Sequence, residues 1–393
     1  MRKQTKLVAV LSTAALLAIG ASMTSFAATG WAEEDGTWVY YNRDGERATD
    51  QWKKSGNNWY WLDSDGEMAI DQLIEDGDNY YYVDINGVMA SNQWVAIDNE
   101  DAGEDDEPDH YWYYFQANGK ALTNGDNDKV SLKTVNGKKY AFDEEGKMLY
   151  GWVDEDTAER VDDTEGDGFK EGTYYFGGQD DGAMTTGWLQ LDITYDEATS
   201  DDYKYTAAAF NDDEDQSRWF YFKSNGKKIY AEDGDRTKDK TINGRKYAFD
   251  QYGAMVAEWS LDEDDLPGNG GLASFSSALP NASTSEIITG KGADAQYTQA
   301  WKYFNSVEDG SRVSKGWFKV VSAEYINEEK YNDDEDFWYY ADGSGNLYAG
   351  EFKTIKGKKY AFRDDGRMLD GLRFIKEDAD NQHLDVRSDD DKR

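Results

Sequence analysis

A 21-residue recurrence limits what this chain can fold into: Gln51, Gln72 and Gln93 stand 21 apart, and so do Gly45, Gly66 and Gly87. Trp38, Trp59 and Tyr80 share one register, and Trp31, Trp52, Leu73 and Trp94 share another. A fixed period of this length means supersecondary units placed against one another, none able to bury its apolar face alone. A unit of about 20 residues has no room for a catalytic cleft of its own. Function must be read from what the array repeats.

The unit reads as a β-hairpin. Residues 56–66 run Gly-Asn-Asn-Trp-Tyr-Trp-Leu-Asp-Ser-Asp-Gly: a turn, four strand residues, then an Asp-rich turn closing on Gly. Gly supplies the positive φ of tight turns, and Asp or Asn beside it bonds locally to the backbone. Alternate side chains of a strand leave opposite faces, so numbering the four strand residues tests the reading. Positions two and four are nearly always apolar, as in Val39 and Tyr41, Tyr60 and Leu62, Tyr113 and Phe115, Phe220 and Phe222, and they are assigned to a buried seam. Positions one and three are aromatic pairs in most units: Trp38 and Tyr40, Trp59 and Trp61, Tyr80 and Tyr82, Trp112 and Tyr114, Trp219 and Tyr221, Trp338 and Tyr340. Three units carry Lys139 and Ala141, Lys246 and Ala248, Lys359 and Ala361 there instead. A face that tolerates Lys is not required for folding everywhere. Where it is aromatic it is the candidate ligand face.

Composition narrows the alternatives. Leu, Ile, Val and Phe make up roughly 16% of 393 residues and the net charge is −38, a balance that borders on disorder. The 14 Trp and 28 Tyr, regularly placed, argue for an ordered chain with a thin continuous core. With 80 acidic against 42 basic residues, nucleic acid and anionic membrane surfaces are excluded as expected partners. Arg2, Lys3 and Lys6, the apolar run Leu7–Ile19 and Ser25-Phe26-Ala27 form a secretory leader, residues 1–27. No stretch is long enough to span a membrane. The exported chain has no Cys, so no disulfide contributes.

Chemistry is scarce. His110 and His383 are the only histidines, too few for a triad or a zinc site. Asp63, Asp65, Asp126 and Asp128 lie in oxygen-rich turns, but none completes a Ca2+ loop, and weak Ca2+ binding is the most they suggest. No cofactor is expected, and the chain reads as noncatalytic.

Gly30-Trp31, Trp38-Val39-Tyr40-Tyr41, the Asp-x-Asp-Gly turns and the endings at Met68, Met89, Met148, Met184, Met255 and Met368 carry a family likeness. The array resembles the cell-wall-binding repeats of choline-binding proteins. The Lys-Lys-Tyr-Ala-Phe units, as at 138–142, look more like repeats of glucan-binding proteins and toxin receptor-binding arrays. The resemblance implies an all-β, superhelical solenoid of hairpins, noncovalent attachment to a wall or glycan, and ligands held between consecutive units. Carried over by position, it implies one cage from Trp38, Tyr40, Trp52 and Met68, a second from Trp59, Trp61 and Met89 with Leu73 in the incoming place, and a third from Tyr80, Tyr82 and Trp94. Quaternary ammonium suits such cages, and flat aromatic pairs alternatively stack on sugar rings. The organisation expected is repeats over 28–260, an insert or long loop over 261–296, further repeats over 297–372, and a polar, unstructured tail over 373–393. The acidic stretches 98–109, 154–171, 192–215 and 324–336 read as extended hairpin loops. The partner expected is choline-bearing teichoic acid or a glycan at a bacterial surface. An adhesin with a protein partner and a homodimer remain the alternatives.

Overall fold

The computed structural model describes residues 29–103, 107–194, 215–232, 235, 237–262, 287–288, 293–371, 375–377 and 384–386. The leader over 1–27 lies outside these residues, as do much of the 261–296 segment and of the tail. Two compact units divide the chain, Met1–Leu149 and Tyr150–Arg393.

Among the described residues, the first unit holds five antiparallel hairpins: β1 (Gly30–Glu34) with β2 (Thr37–Tyr41), β3 (Gln51–Ser55) with β4 (Asn58–Leu62), β5 (Gln72–Asp76) with β6 (Asn79–Val83), β7 (Gln93–Asp98) with β8 (His110–Phe115), and β9 (Lys133–Val135) with β10 (Lys138–Tyr140). The second holds β11 (Gly151–Val153) with β12 (Tyr174–Phe176), β13 (Gly187–Thr194) with β14 (Asp215–Phe222), and β15 (Lys238–Ile242) with β16 (Arg245–Phe249). There β17 (Glu258–Leu261) pairs with β19 (Trp301–Phe304), β20 (Gly316–Val321) with β21 (Asp336–Ala341), and β22 (Glu351–Ile355) with β23 (Lys358–Phe362). The strands form because aromatic and β-branched residues alternate with polar ones between turn residues that accept positive φ. Asn136-Gly137 and Asn243-Gly244 have φ near +49° followed by +84° and +80°, the two left-handed residues of a type I′ turn.

Several closing turns are fastened by the carboxylate of their first residue. Asp84 Oδ1 accepts the N–H groups of Asn86 and Val88 at 2.8 and 2.9 Å, while the Gly87 N–H donates to Asp84 O at 2.7 Å. Asp63, Asp250 and Asp342 repeat the pattern. The residue after the turn joins neighbours. The Met68 N–H donates to Trp38 O of the preceding hairpin at 2.8 Å, and the Ala69 N–H donates to Trp61 O of its own hairpin at 3.0 Å. Met89 to Trp59, Ala121 to Tyr80 and Met148 to Trp112 continue the series in the first unit; Lys228 to Thr173, Met255 to Trp219, Arg312 to Lys246 and Met368 to Trp338 continue it in the second. A two-stranded sheet would otherwise expose carbonyls along its free edge. Here linkers satisfy them, and successive hairpins are tied through backbone.

The seam follows positions two and four. Val39, Leu62, Val83, Phe115, Phe142, Phe220, Phe222, Phe249 and Phe362 are at most 1% exposed. The closing-turn glycines complete the packing: Gly87 sits on Met68, Gly119 on Met89, Gly226 on Met184 and Gly310 on Met255, so close that a Cβ would collide with the thioether.

Two regions differ from the sequence expectation, and the 261–296 segment takes a definite place between paired strands. The acidic stretch 324–336 is not simply an extended loop: it contains α2 (Glu328–Asn332), because the Asn327 side chain accepts the Lys330 N–H at 3.1 Å and Glu328 and Glu329 occupy the first turn. A helix this short escapes an apolar-stripe search. The segment over 261–296 falls inside one hairpin, since Leu261 of β17 pairs with Trp301 of β19, and it delivers β18 (Ile287–Ile288) and the start of α1 (Ala293–Gln299). The tail expected to be unstructured contributes β24 (Ile375–Glu377) and β25 (Leu384–Val386), which with β18 form a three-stranded sheet in the order β18-β25-β24. Composition cannot register strands of two or three residues whose pairing partner lies about 100 residues away.

Candidate functional site

Antiparallel pairing places the first-strand Trp of each hairpin directly opposite position three of the same hairpin: Trp31 faces Tyr40, Trp52 faces Trp61 and Trp94 faces Tyr114. Directly opposed residues have Cβ atoms about 5 Å apart, so these rings meet edge to face, at 5.4, 5.2 and 5.2 Å. The same Trp also reaches position two of the following hairpin, Trp31 to Tyr60 at 5.3 Å, Trp52 to Tyr81 at 5.0 Å and Trp94 to Tyr140 at 4.9 Å. Trp152, Trp188, Trp259 and Trp317 do likewise in the second unit.

The expected ligand face splits in two hairpins. There position three is packed, Trp61 and Tyr340 being each 8% exposed. Elsewhere Tyr40, Tyr82, Tyr114 and Tyr221 at position three are half-buried. Position one ranges from half-buried to open. Trp59 is 39% and Trp338 44% exposed, and Trp38, Tyr80, Trp112 and Trp219 are half-buried.

This geometry regroups the residues expected to form cages. Trp38 and Met68 are joined by the backbone bond described above, and Tyr40 packs on Trp31 with Lys53 Nζ 4.7 Å from its ring. Trp52 is turned forward to Trp61 and Tyr81, and no ring contact among the described residues joins it to Trp38 or Tyr40. Trp59 meets Met89 by the backbone and has Lys54 Nζ at 5.6 Å, whereas Trp61 lies with Met89 and Trp52 in a packed cluster. Tyr80 and Tyr82 pack with Leu73, and Trp94 is directed to Tyr140 and Phe142. The first-strand Trp of one hairpin thus meets position two of the hairpin that follows.

Three clusters repeat one geometry. Trp188 lies 6.3 Å from Trp219, 5.1 Å from Tyr221 and 4.8 Å from Tyr247, with interplanar angles of 87°, 76° and 67°. Trp317 lies 6.3 Å from Trp338, 5.1 Å from Tyr340 and 4.8 Å from Tyr360, at 87°, 78° and 64°. Trp94 stands in the same relation to Tyr114 and Tyr140, with Trp112 at position one of the same hairpin. In each the following hairpin is a Lys-Tyr-Ala-Phe unit. Trp188, Trp317, Tyr247 and Tyr360 join these ring clusters although the sequence reading did not single them out; Gly187-Trp188 and Gly316-Trp317 repeat the Gly30-Trp31 signal.

A carboxylate edges one of these rings. Trp219 Nε1 donates to Glu308 Oε2 and Gln190 Nε2 to Glu308 Oε1, both at 3.4 Å. Burial, then the charges of Glu75, Glu145, Asp143 and Glu144, push the Tyr80 phenol up. Burial also drives the turn carboxyl of Asp143 up to about 6 against the pull of the Lys147 N–H. Among the described residues no group of three or more His, Asp or Glu can hold a metal ion, and no helix is long and apolar enough to cross a membrane.

The choline-binding repeat family matches residues 28–69 and 48–94, and a cell wall binding repeat matches 214–228. Glucosyltransferase-S of Streptococcus mutans serotype c is 25% identical over 281 residues, which is 67% of this chain and 16% of that protein. The modular autolysin LytC from Streptococcus pneumoniae, solved with a synthetic peptidoglycan ligand, is 18% identical, covering 87% of this chain and 53% of its own, with a TM-score of 0.41. The choline binding domain of Spr1274 in Streptococcus pneumoniae is 32% identical over 24% of this chain and 95% of its own, with a TM-score of 0.18. The chain thus spans about half of the autolysin and a small part of the glucosyltransferase.

Proposed function

We propose, from the premise that this chain belongs to the cell-wall-binding, choline-binding repeat family, that it is a secreted, noncatalytic protein holding choline-substituted wall polymer at aromatic sites between hairpins. The observation that carries the reading is the row of position-one rings left half-buried or open on the outer face, with Trp219 beside Trp188, which itself packs on Tyr221 and Tyr247. Fold stability does not require an indole there, because Lys139, Lys246 and Lys359 occupy the same place in other hairpins. A quaternary ammonium gains about 0.5–2 kcal/mol from each aromatic face it meets. Glu308, seated at the Trp219 indole edge, adds a negative field that favours a cation over a neutral sugar.

Retention on purified choline-bearing walls tests the reading, with free choline and an α-glucan as competitors. Choline should elute the chain, and Trp219→Ala with Trp338→Ala should weaken retention without changing the far-UV spectrum. Elution by glucan alone would instead select sugar stacking, the reading that the similarity to a glucosyltransferase favours. Elution by neither would refute both.

A further inference from the structure

The dipeptide Asn-Gly recurs at turns of the array, and two of its copies are held differently from the others. In Asn86-Gly87, Asn118-Gly119 and Asn225-Gly226 the Gly N–H donates to the carbonyl that opens its closing turn: Asp84 O at 2.7 Å, Gln116 O at 2.9 Å and Lys223 O at 2.8 Å. The Asn118 and Asn225 side chains also accept the N–H groups of Lys120 and Lys227, at 3.1 and 3.2 Å. Each of these glycines is buried against a methionine. Asn124, before Gly125, is 2% exposed, donates through Nδ2 to Asn127 O at 2.8 Å and accepts the Ser131 N–H at 2.8 Å. Asn269-Gly270 lies outside the described residues.

Asn136-Gly137 and Asn243-Gly244 carry none of these restraints. All four residues are exposed, and a Cβ on either Gly would meet nothing within 4 Å. Among the described residues neither Gly N–H donates, neither Asn carbonyl accepts, and neither Asn side chain is hydrogen-bonded. The central peptide of each turn can therefore flip without breaking a hydrogen bond, from type I′ to type II′, the two turns that suit a two-residue hairpin. The first central residue keeps its positive φ in both, and Gly accepts either conformation at the second. Type II′ gives that first residue a negative ψ. Closing a ring between an Asn side chain and the next backbone nitrogen demands the same.

We propose that Asn136 and Asn243 are sites of spontaneous covalent modification in the folded chain, converting to aspartyl and isoaspartyl residues while the other described Asn-Gly pairs stay protected. The Gly nitrogen, its proton taken by hydroxide, attacks Asn Cγ. The new N–C bond forms as the Cγ–Nδ2 bond breaks, and ammonia leaves with a proton from water. Water then opens the resulting succinimide. Attack at Cγ gives an aspartyl peptide, whereas attack at the backbone carbonyl leaves the chain running through Cβ and Cγ, a methylene longer. That isoaspartyl form cannot supply the paired left-handed residues of the turn, so Val135 with Lys138, and Ile242 with Arg245, lose the geometry that pairs them. The same hairpins place Tyr140 on Trp94 and Tyr247 on Trp188, and the modification loosens both contacts.

A third hairpin supplies the control: its turn is Lys356-Gly357, with φ of +49° and +80°, so Lys is tolerated where the other two carry Asn. The full chain and N136K/N243K are aged at mildly alkaline pH and digested, and the acid form at each Asn-Gly is quantified by mass spectrometry. In the parent, Asn136 and Asn243 should convert about fivefold or more faster than Asn86, Asn118 and Asn225, the factor for a hydrogen bond of about 1 kcal/mol that the latter must first break. In denaturant all of these sites, and Asn124, should convert at a common rate, because the dipeptide is the same. Equal rates in the folded chain, faster conversion at Asn86, Asn118 or Asn225, or a difference that survives denaturant overturns the inference. Ageing should lower the urea midpoint of the parent and leave that of N136K/N243K in place. An equal fall in both overturns the link between the modification and hairpin pairing.

Discussion

Gly119 and Gly137 form an internal control for the contact between hairpins. Their φ angles are +83° and +84°, so Ala pays the same left-handed penalty at either place, about 1–2 kcal/mol. They sit in different turns, Gly137 beside the left-handed Asn136 and Gly119 closing the turn that starts at Gln116, and they differ most in surroundings. A Cβ on Gly137 meets nothing within 4 Å, whereas one on Gly119 would lie 2.5 Å from Met89 Sδ and 2.6 Å from Met89 Cε. Those separations lie well inside ordinary contact, and Met89 must leave its place against the turn; overpacking of this sort costs about 1–3 kcal/mol. Gly137→Ala should therefore destabilise by about 1–2 kcal/mol and Gly119→Ala by about 2–5 kcal/mol. Urea unfolding followed by Trp fluorescence measures both, and Met89→Ala in each background completes a double-mutant cycle. Removing the thioether should recover part of the Gly119→Ala loss and none of the Gly137→Ala loss. If the two glycine variants agree within about 0.5 kcal/mol, or the cycle shows no coupling, then the turn-on-methionine contact does not join the hairpins.

Other expectations follow from the same geometry. Trp152, 2% exposed and in edge contact with Tyr175 and Phe220, should cost about 3–5 kcal/mol as Ala in thermal or denaturant unfolding. Trp59, 39% exposed and without a ring partner among the described residues, should change stability by less than about 1 kcal/mol as Ala in the same assay. Burial raises Asp250 from 3.8 to about 6 and lowers the fully buried Lys228 from 10.5 to about 7. Between pH 4 and 6 the folded state holds the Asp250 proton more tightly than the unfolded chain, so stability falls as pH rises through that window. Above about 7 the unfolded chain holds the Lys228 proton more tightly, and stability recovers toward pH 10. Urea midpoints across pH should pass through a minimum between 6 and 7, and Asp250→Asn should flatten the acid limb, worth about 3 kcal/mol. An unchanged acid limb would show that Asp250 is not its source.

The recurrence, the hairpin type and the buried identity of positions two and four were legible in the sequence because they are local. Turn chemistry acts over about four residues, and alternation along a strand assigns faces without reference to any partner. The outer face was legible only in part. Both of its positions looked alike along the strand, yet the facing strand of the same hairpin covers Trp61 and leaves Trp59 open. Which aromatic enters which cluster was not readable either, since Trp52 could lean backward to Tyr40 or forward to Tyr81, and alternation leaves the choice free.

The amino-acid order alone thus settled period, fold class and the separation of a core face from an outer one, through interactions that span a few residues. Contact between hairpins decided the remainder: which rings stay exposed, how linker N–H groups satisfy the carbonyls of the hairpin before, and how β18, β24 and β25 find each other from distant parts of the chain. The physical reason is the same in each case. Packing and edge pairing depend on which surface arrives opposite, and that is a property of the assembled chain rather than of any one unit.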